Sequence, residues 1–319
     1  MKKLLPFIIL FALCFFAIRA LFVPGFFTMH DDEQIARLYE LNDSVLAGQI
    51  PPRWVAHLGF GYGYPLFNFY PPFVYYTGEI FYLLGFSLIN ATKIVMVLGF
   101  LLSALFMYLW VKNRYGVLAG IFAGILYTYA PYHGVDLYVR GALAEFFSFV
   151  WIPAIFWTLD QAVEKRSYRW ATLSGICFAF LILTHSLTAL AFIPFYLVYL
   201  IVLCYENKSY IKQLFPVICC SGMVALGLSA YFWLPSLLEK KYTLVDQILT
   251  KELADYSIHF VYPQQLWNSP WGYGGSIAGP HDGLSFQVGK VHLMLIIFSL
   301  AAVVVLFLKR RKTAIPPWR

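Results

Sequence analysis

Tyr64-Pro-Leu-Phe-Asn-Phe-Tyr-Pro-Pro-Phe-Val-Tyr-Tyr-Thr-Gly-Glu-Ile-Phe-Tyr-Leu-Leu-Gly-Phe86 decides how the chain is threaded. The run is apolar and long enough to be weighed against the ~20 residues that a helix needs to cross a bilayer. Pro71-Pro72 breaks it, because proline removes an amide donor and clashes with the preceding turn. Ten of its residues are aromatic, and Tyr-rich segments settle at the water–lipid interface. If this run crossed once, every later basic cluster would lie on the side opposite Lys2-Lys3. If it does not cross, Lys2-Lys3, Lys112/Arg114, Lys165-Arg166/Arg169, Lys208/Lys212 and Lys309-Arg310-Arg311-Lys312 all face the cytoplasm. We read it as juxtamembrane or re-entrant helices; a tight hairpin of two short spans satisfies the same parity and ranks second.

The rest of the chain supports a lipid environment. Of its 319 residues 61% are hydrophobic and 12% charged, against roughly 25% charged in a soluble domain. Mean hydropathy is +0.69. Eight spans are expected, near 4–23, 90–111, 117–131, 145–161, 170–185, 187–205, 214–236 and 291–308. The fold class is therefore all-α, a polytopic bundle forming one transmembrane domain over 1–319, in the cell membrane with both termini cytoplasmic. The apolar run Leu4–Ile18 reads as a retained span, since Arg19 interrupts any cleavage site. The net charge of +7 sits in short clusters between apolar runs, which argues against nucleic acid. The five cysteines lie inside apolar runs and read as packing residues.

Three segments are then exported, about 24–89, 132–144 and 237–290, and all seven histidines fall in them or at outer span ends. Only Asp160, Glu164 and Glu206 belong clearly to the inner side. The first segment opens Thr28-Met29-His30-Asp31-Asp32-Glu33-Gln34. Thr28 and Asp31 have capping-box spacing, and 31–47 reads as an amphipathic helix with Glu33 and Arg37 paired on its exposed face. Asp31 and Asp32 either cap that helix or act as general base or ligands of a divalent cation. In the second segment Asp136, Arg140 and Glu145 bracket about two helical turns at the membrane boundary, where charge is costly unless partnered. Arg140 either locks two helices or presents its fork of donors to a phosphate. His185 closes the fifth expected span, as a structural histidine or a site residue. Arg19 either snorkels to the interface or approaches a lipid phosphate. The third segment places an amphipathic stretch (Leu244, Val245, Ile248, Leu249, Leu253) after Lys240-Lys241. Beyond it comes Gln264-Gln265-Leu266-Trp267-Asn268-Ser269-Pro270-Trp271-Gly272-Tyr273-Gly274-Gly275-Ser276, whose glycines match no dinucleotide or phosphate-loop pattern. Its Trp and Tyr suit either stacking on a sugar ring or anchoring at the interface.

Asp31-Asp32 after the first span, a second acidic loop at Asp136 and the Tyr64–Pro72 run resemble the C-type (GT-C) membrane glycosyltransferases. His30-Asp31-Asp32, Pro52-Arg53-Trp54, Gly61-Tyr-Gly-Tyr-Pro65, Tyr138-Val-Arg-Gly-Ala-Leu-Ala-Glu145 and Trp267-Asn-Ser-Pro-Trp-Gly-Tyr-Gly-Gly275 are similar, in order, to the bacterial membrane family labelled 6-pyruvoyl-tetrahydropterin synthase-related. Nothing here resembles the soluble zinc enzyme of pterin chemistry. The GT-C resemblance implies a transferase whose donor is a sugar on a polyprenyl phosphate drawn from the bilayer, with an envelope glycan, lipid or protein as acceptor. It implies that Asp31 or Asp32 deprotonates the acceptor or holds Mg or Mn, and that Arg140, with Lys240 or Lys241, neutralises the departing phosphate. Asp136 and Glu145 orient these groups, and Arg53, His185 and Trp271 join as substrate-binding candidates. Such proteins usually carry more spans after the eighth, so the chain reads as a fragment or a minimal version. Two other readings stay open: a transporter or lipid flippase, and a non-catalytic component of envelope-glycan assembly.

Overall fold

The computed structural model describes residues 4–248 and 256–313. Helix α1 (Leu5–Ile18) runs on into a 3-10 turn, Arg19–Phe22. The first long loop then carries α2 (Gln34–Leu46), α3 (Leu66–Phe69) and α4 (Phe73–Leu83). The aromatic run is thus split at Pro71-Pro72 into pieces of 4 and 11 residues, the longer only ~16 Å at 1.5 Å per residue. Neither crosses hydrocarbon, so the hairpin of two spans does not form. Instead α4 buries Val74, Tyr75 and Gly78 against α2 and α5.

Ser87 accepts from the Asn90 amide and starts α5 (Leu88–Tyr115). Gly116, at φ 88°, turns the chain into α6 (Val117–Thr128). A Cβ at Gly120 or Gly124 would stand 2.8 or 2.9 Å from the carbonyls of Tyr108 and Ala104. The two glycines, four apart, therefore let α5 and α6 touch backbone to backbone, as small residues do in lipid. Helix α6 has 12 residues, ~18 Å long, shorter than the 117–131 span expected. After Ala130 the chain enters α7 (Pro131–Val135), started by a proline whose missing amide costs nothing there.

Helices α8 (Leu143–Lys165), α9 (Tyr168–Thr184), α10 (Ser186–Glu206) and α11 (Ile211–Glu239) complete the packed bundle, with α5 and α9 flanking α8 and α11 packed on α9. Two short helices, α12 (Val245–Ile248) and α13 (Pro263–Trp267), lead to α14 (Lys290–Thr313). Leu249 and Leu253 of the expected amphipathic stretch lie outside the described residues, as do Lys2-Lys3.

Among the described residues six helices are long and apolar enough to span a membrane, and α6 and α9 are shorter apolar helices. Among the six, α8 is the least apolar yet the most buried, and α14 is the most apolar with no buried residue through Leu308. Water would impose the reverse order. Lipid accepts apolar faces and drives polar groups inward, so this inversion identifies the solvent. The main core is aromatic, built on Phe100, Phe146, Phe147 and Tyr75 between α4, α5 and α8. All five cysteines are free.

Candidate functional site

The segment between α6 and α8 builds a charged hub. After α7, residues Asp136–Arg140 form one π turn, a bulge that re-aims side chains and recurs at functional sites. Gly141, at φ 68°, ends it. Arg140 Nη1 donates to Asp136 Oδ1 (2.5 Å), Glu145 Oε2 (2.8 Å) and the Tyr132 hydroxyl (2.7 Å), and that hydroxyl donates to Glu145 Oε1 (2.7 Å). The three bonds of the arginine all leave from one nitrogen, so Nη2 and Nε are uncommitted among the described residues. Asp136 is fully buried, and its Oδ2 has no partner.

The Asp31–Asp32 turn docks on this hub through the main chain. The His30 amide donates to the Val139 carbonyl (2.9 Å) and the Asp31 amide to the Arg140 carbonyl (2.8 Å). Buried Gln34 locks the contact: its Nε2 donates to the Gly141 carbonyl (2.8 Å), and its Oε1 accepts from the Tyr75 hydroxyl (2.7 Å). A Cβ on Gly141 would lie 2.2 Å from Met29 Sδ and 3.0 Å from the Asp31 carbonyl, so only glycine permits the approach. His30 Nε2 donates to the Tyr273 carbonyl (2.7 Å), bringing in the segment between α13 and α14.

This arrangement corrects the capping reading. Helix α2 starts at Gln34, with Glu33 at the N-cap and no side-chain cap bond, so Thr28 and Asp31 form no capping box. Asp31 and Asp32 are exposed, and neither carboxylate makes a hydrogen bond or ion pair among the described residues. Two adjacent uncommitted carboxylates fit the way magnesium is held, by one or two carboxylates with water and substrate phosphate supplying the rest. No group of three His, Cys, Asp or Glu suited to a metal occurs among the described residues. The Glu33–Arg37 pair forms at 2.7 Å. It is not on an open face, however, because the Arg37 guanidinium stacks over Tyr70 at 4.5 Å and is only 13% exposed.

Acid exceeds base at the hub. Burial first, then the neighbouring Glu145, pushes the Asp136 carboxyl well above the usual carboxylate range; Arg140 opposes them without prevailing. Burial and the same acids push the Tyr132 hydroxyl up. His185 Nδ1 accepts from the Thr188 amide (3.3 Å) and so caps α10, and the ring is within electrostatic reach of Glu145 and Arg140. Beside Tyr132 opens a groove of about 550 Å³, almost wholly apolar, between α6–α7, α8 and α10, with Phe149, Phe195 and Val202 on its walls. His133 lines it too, held down to about 3 by burial and therefore neutral, with Nε2 unpartnered.

Not every expected residue joins. Arg53 belongs to a separate set: its Nη1 donates to Asn68 Oδ1 (2.8 Å), and Asn68 in turn donates to Glu239 Oε2 (2.8 Å), tying the first loop to the end of α11. Lys240 and Lys241 sit exposed in the next turn, Lys241 over the Tyr242 ring. Trp271 rests over Gly134, whose added Cβ would stand 3.5 Å from the ring, so it does neighbour the hub. Sequence reading missed Tyr132, Gln34, His133 and the burial of Arg37. The only hint was Tyr132's place between Pro131 and His133 in the dense second segment.

Bundle, span lengths and lipid-facing helices define a polytopic helical membrane protein. The chain belongs to the membrane protein family described as the 6-pyruvoyl-tetrahydropterin synthase related domain, whose family model matches residues 67–278. That match contains Asp136, Arg140, Glu145 and Trp271 and begins after the Asp31–Asp32 turn. An uncharacterized protein of Lactococcus lactis subsp. cremoris (strain MG1363) is 26% identical over 211 residues, covering 63% of this chain and 34% of that protein. The chain thus spans about a third of the length of the curated relative it matches. No solved structure matches it.

Proposed function

We propose that this chain carries the site of a membrane glycosyltransferase of GT-C type, working on the outer face of the cell membrane with a polyprenyl-phosphate-linked sugar as donor. The observation that carries this reading is the main-chain docking of the Asp31–Asp32 turn, whose carboxylates are uncommitted, beside an arginine whose Nη2 and Nε remain to be used. Asp31 or Asp32 takes the proton of the acceptor hydroxyl as its oxygen bonds the anomeric carbon. The bond from that carbon to the phosphate oxygen breaks, and the electron pair leaves on the lipid phosphate, which Arg140 stabilises. Tyr132, Asp136 and Glu145 hold the guanidinium in place. The apolar groove beside Tyr132 is suited to the isoprenoid tail, since it opens among lipid-facing residues of α10. If Mg or Mn is used, Asp31 and Asp32 hold it, and it supplies further charge against the phosphate.

The test is the double variant Asp31→Asn/Asp32→Asn in proteoliposomes loaded with a polyprenyl-phosphate sugar. Loss of a general base lowers transfer by at least ~10²-fold, while the exposed positions leave thermal unfolding unchanged. Undiminished product would end the catalytic reading. Orientation is tested separately by Asn113→Cys at the end of α5: labelling by an impermeant thiol reagent from outside would invert the topology.

A further inference from the structure

A second cavity abuts the same Asp31 turn and differs from the apolar groove in charge. It holds about 490 Å³ where α1 passes through Arg19–Phe22 into the chain leading to Thr28. Arg19, Lys93, Tyr138, Trp271 and Tyr273 line it, and no carboxylate does. Lys93 is only 8% exposed, though its ammonium carries three donors. One donates to the Val23 carbonyl at 2.6 Å, and neither Lys93 nor Arg19 forms an ion pair among the described residues. A buried cation without a counter-charge is costly at a membrane boundary, which makes an anion the fitting occupant.

The rim says where that anion comes from. Phe16 on α1 and Val23, just past the 3-10 turn that continues it, are 63% and 61% exposed on the α1 side of the cavity, where an apolar span faces lipid. The cavity is therefore entered sideways from the bilayer, by a headgroup whose chains stay outside. Tyr138, whose hydroxyl donates to the Ala17 carbonyl (2.6 Å), stands in the π turn between Asp136 and Arg140. Tyr273 holds His30 from the opposite segment. What this cavity grips is thus presented to Asp31 and Asp32.

We propose that the Arg19–Lys93 cavity binds the phosphate of an anionic, hydroxyl-bearing membrane lipid, and that this lipid is the sugar acceptor. Binding stands by itself; the acceptor role rests on the transferase reading above. Phosphatidylglycerol, with a phosphate and free hydroxyls, is the probe, and diacylglycerol with the same chains, a hydroxyl and no phosphate, is the control.

Native mass spectrometry of the full chain should find phosphatidylglycerol retained and diacylglycerol lost. Arg19→Gln, at an exposed position, should lower retention about tenfold, the worth of one charged hydrogen bond, and Lys93→Met should lower it further. Equal retention of both lipids, or full retention in Arg19→Gln, overturns the site. In the proteoliposome assay, wild-type protein should glycosylate phosphatidylglycerol and Arg19→Gln should need more of it; sugar transfer to diacylglycerol alone overturns the acceptor role. Asp31→Asn/Asp32→Asn should keep lipid retention while losing transfer. Normal transfer by that variant would sink the transferase reading and leave the retention result standing.

Discussion

Two arginines, at opposite ends of the bundle, each gather two carboxylates and a tyrosine. Arg114, at the end of α5, donates from Nε and Nη2 to both oxygens of Asp160 (2.7 and 2.9 Å) and from Nη1 to Glu206 (3.4 Å). The Tyr199 hydroxyl donates to Asp160 as well (2.6 Å) and accepts from Trp110 (2.9 Å). Every nitrogen of that guanidinium is used, and both Asp160 oxygens are satisfied. Arg140 serves Asp136, Glu145 and Tyr132 from a single nitrogen and leaves Asp136 Oδ2 buried and unpaired. The Arg114 cluster is a clamp joining α5, α8 and α10, with each of the three guanidinium nitrogens already engaged by a carboxylate. The Arg140 cluster leaves Nη2 and Nε unengaged among the described residues, and the Asp31 turn is brought to its edge. Similar residue types therefore mean different things, and what separates them is which guanidinium nitrogens are left unengaged.

The sharpest way to break this contrast is to delete both arginines. Each deletion strands a buried carboxylate and should cost about 3–5 kcal/mol of stability, read as thermal unfolding in detergent. Only Arg140→Ala should also lower transfer per folded molecule, by about 10²–10³-fold, as loss of a charge-stabilising donor does. A comparable catalytic loss in folded Arg114→Ala would erase the distinction. Gly141→Ala comes next: a left-handed residue pressed on Met29 should cost about 1–3 kcal/mol and loosen the Asp31 turn. Met29→Ala should recover part of that loss, and no recovery would mean that the turn is held elsewhere.

The smallest effect concerns pH. The folded carboxyl of Asp136 lies above its ordinary value of 3.8, so the fold binds this proton more tightly than the unfolded chain. The stability this contributes is full below that ordinary value and is lost as pH rises through the elevated one. Wild-type protein should therefore lose stability from pH about 4 upward in a way that Asp136→Asn, which keeps its oxygen for Arg140, does not. Identical slopes in the two proteins would show that Asp136 is not the group under strain.

The helices were readable because lipid imposes a simple demand: a long uncharged run or none. Pro71-Pro72 correctly split the aromatic segment, since a proline pair has the same effect in any surroundings. The 117–131 span was read too long, because α6 ends at Thr128 where the chain must turn toward Pro131 and the hub. Asp136, Arg140 and Glu145 were legible as a group through their close spacing. Lys240, Lys241 and Arg53 entered through the family resemblance, and the fold places Arg53 in a separate set with Asn68.

By itself, then, the sequence determined the solvent, the approximate spans and the short acidic–basic segment at 136–145, all of which rest on local pattern. Tertiary structure alone decided that Asp31 meets Arg140, a junction locked by Gln34 and Gly141, which stand 107 residues apart. That contact is made by backbone amides and carbonyls, which every residue possesses, and by the absence of a side chain at Gly141. No residue pattern announces it. The same holds for how the two guanidiniums are used: Arg114 and Arg140 have similar neighbours in composition, and only geometry engages every nitrogen of the first and a single nitrogen of the second.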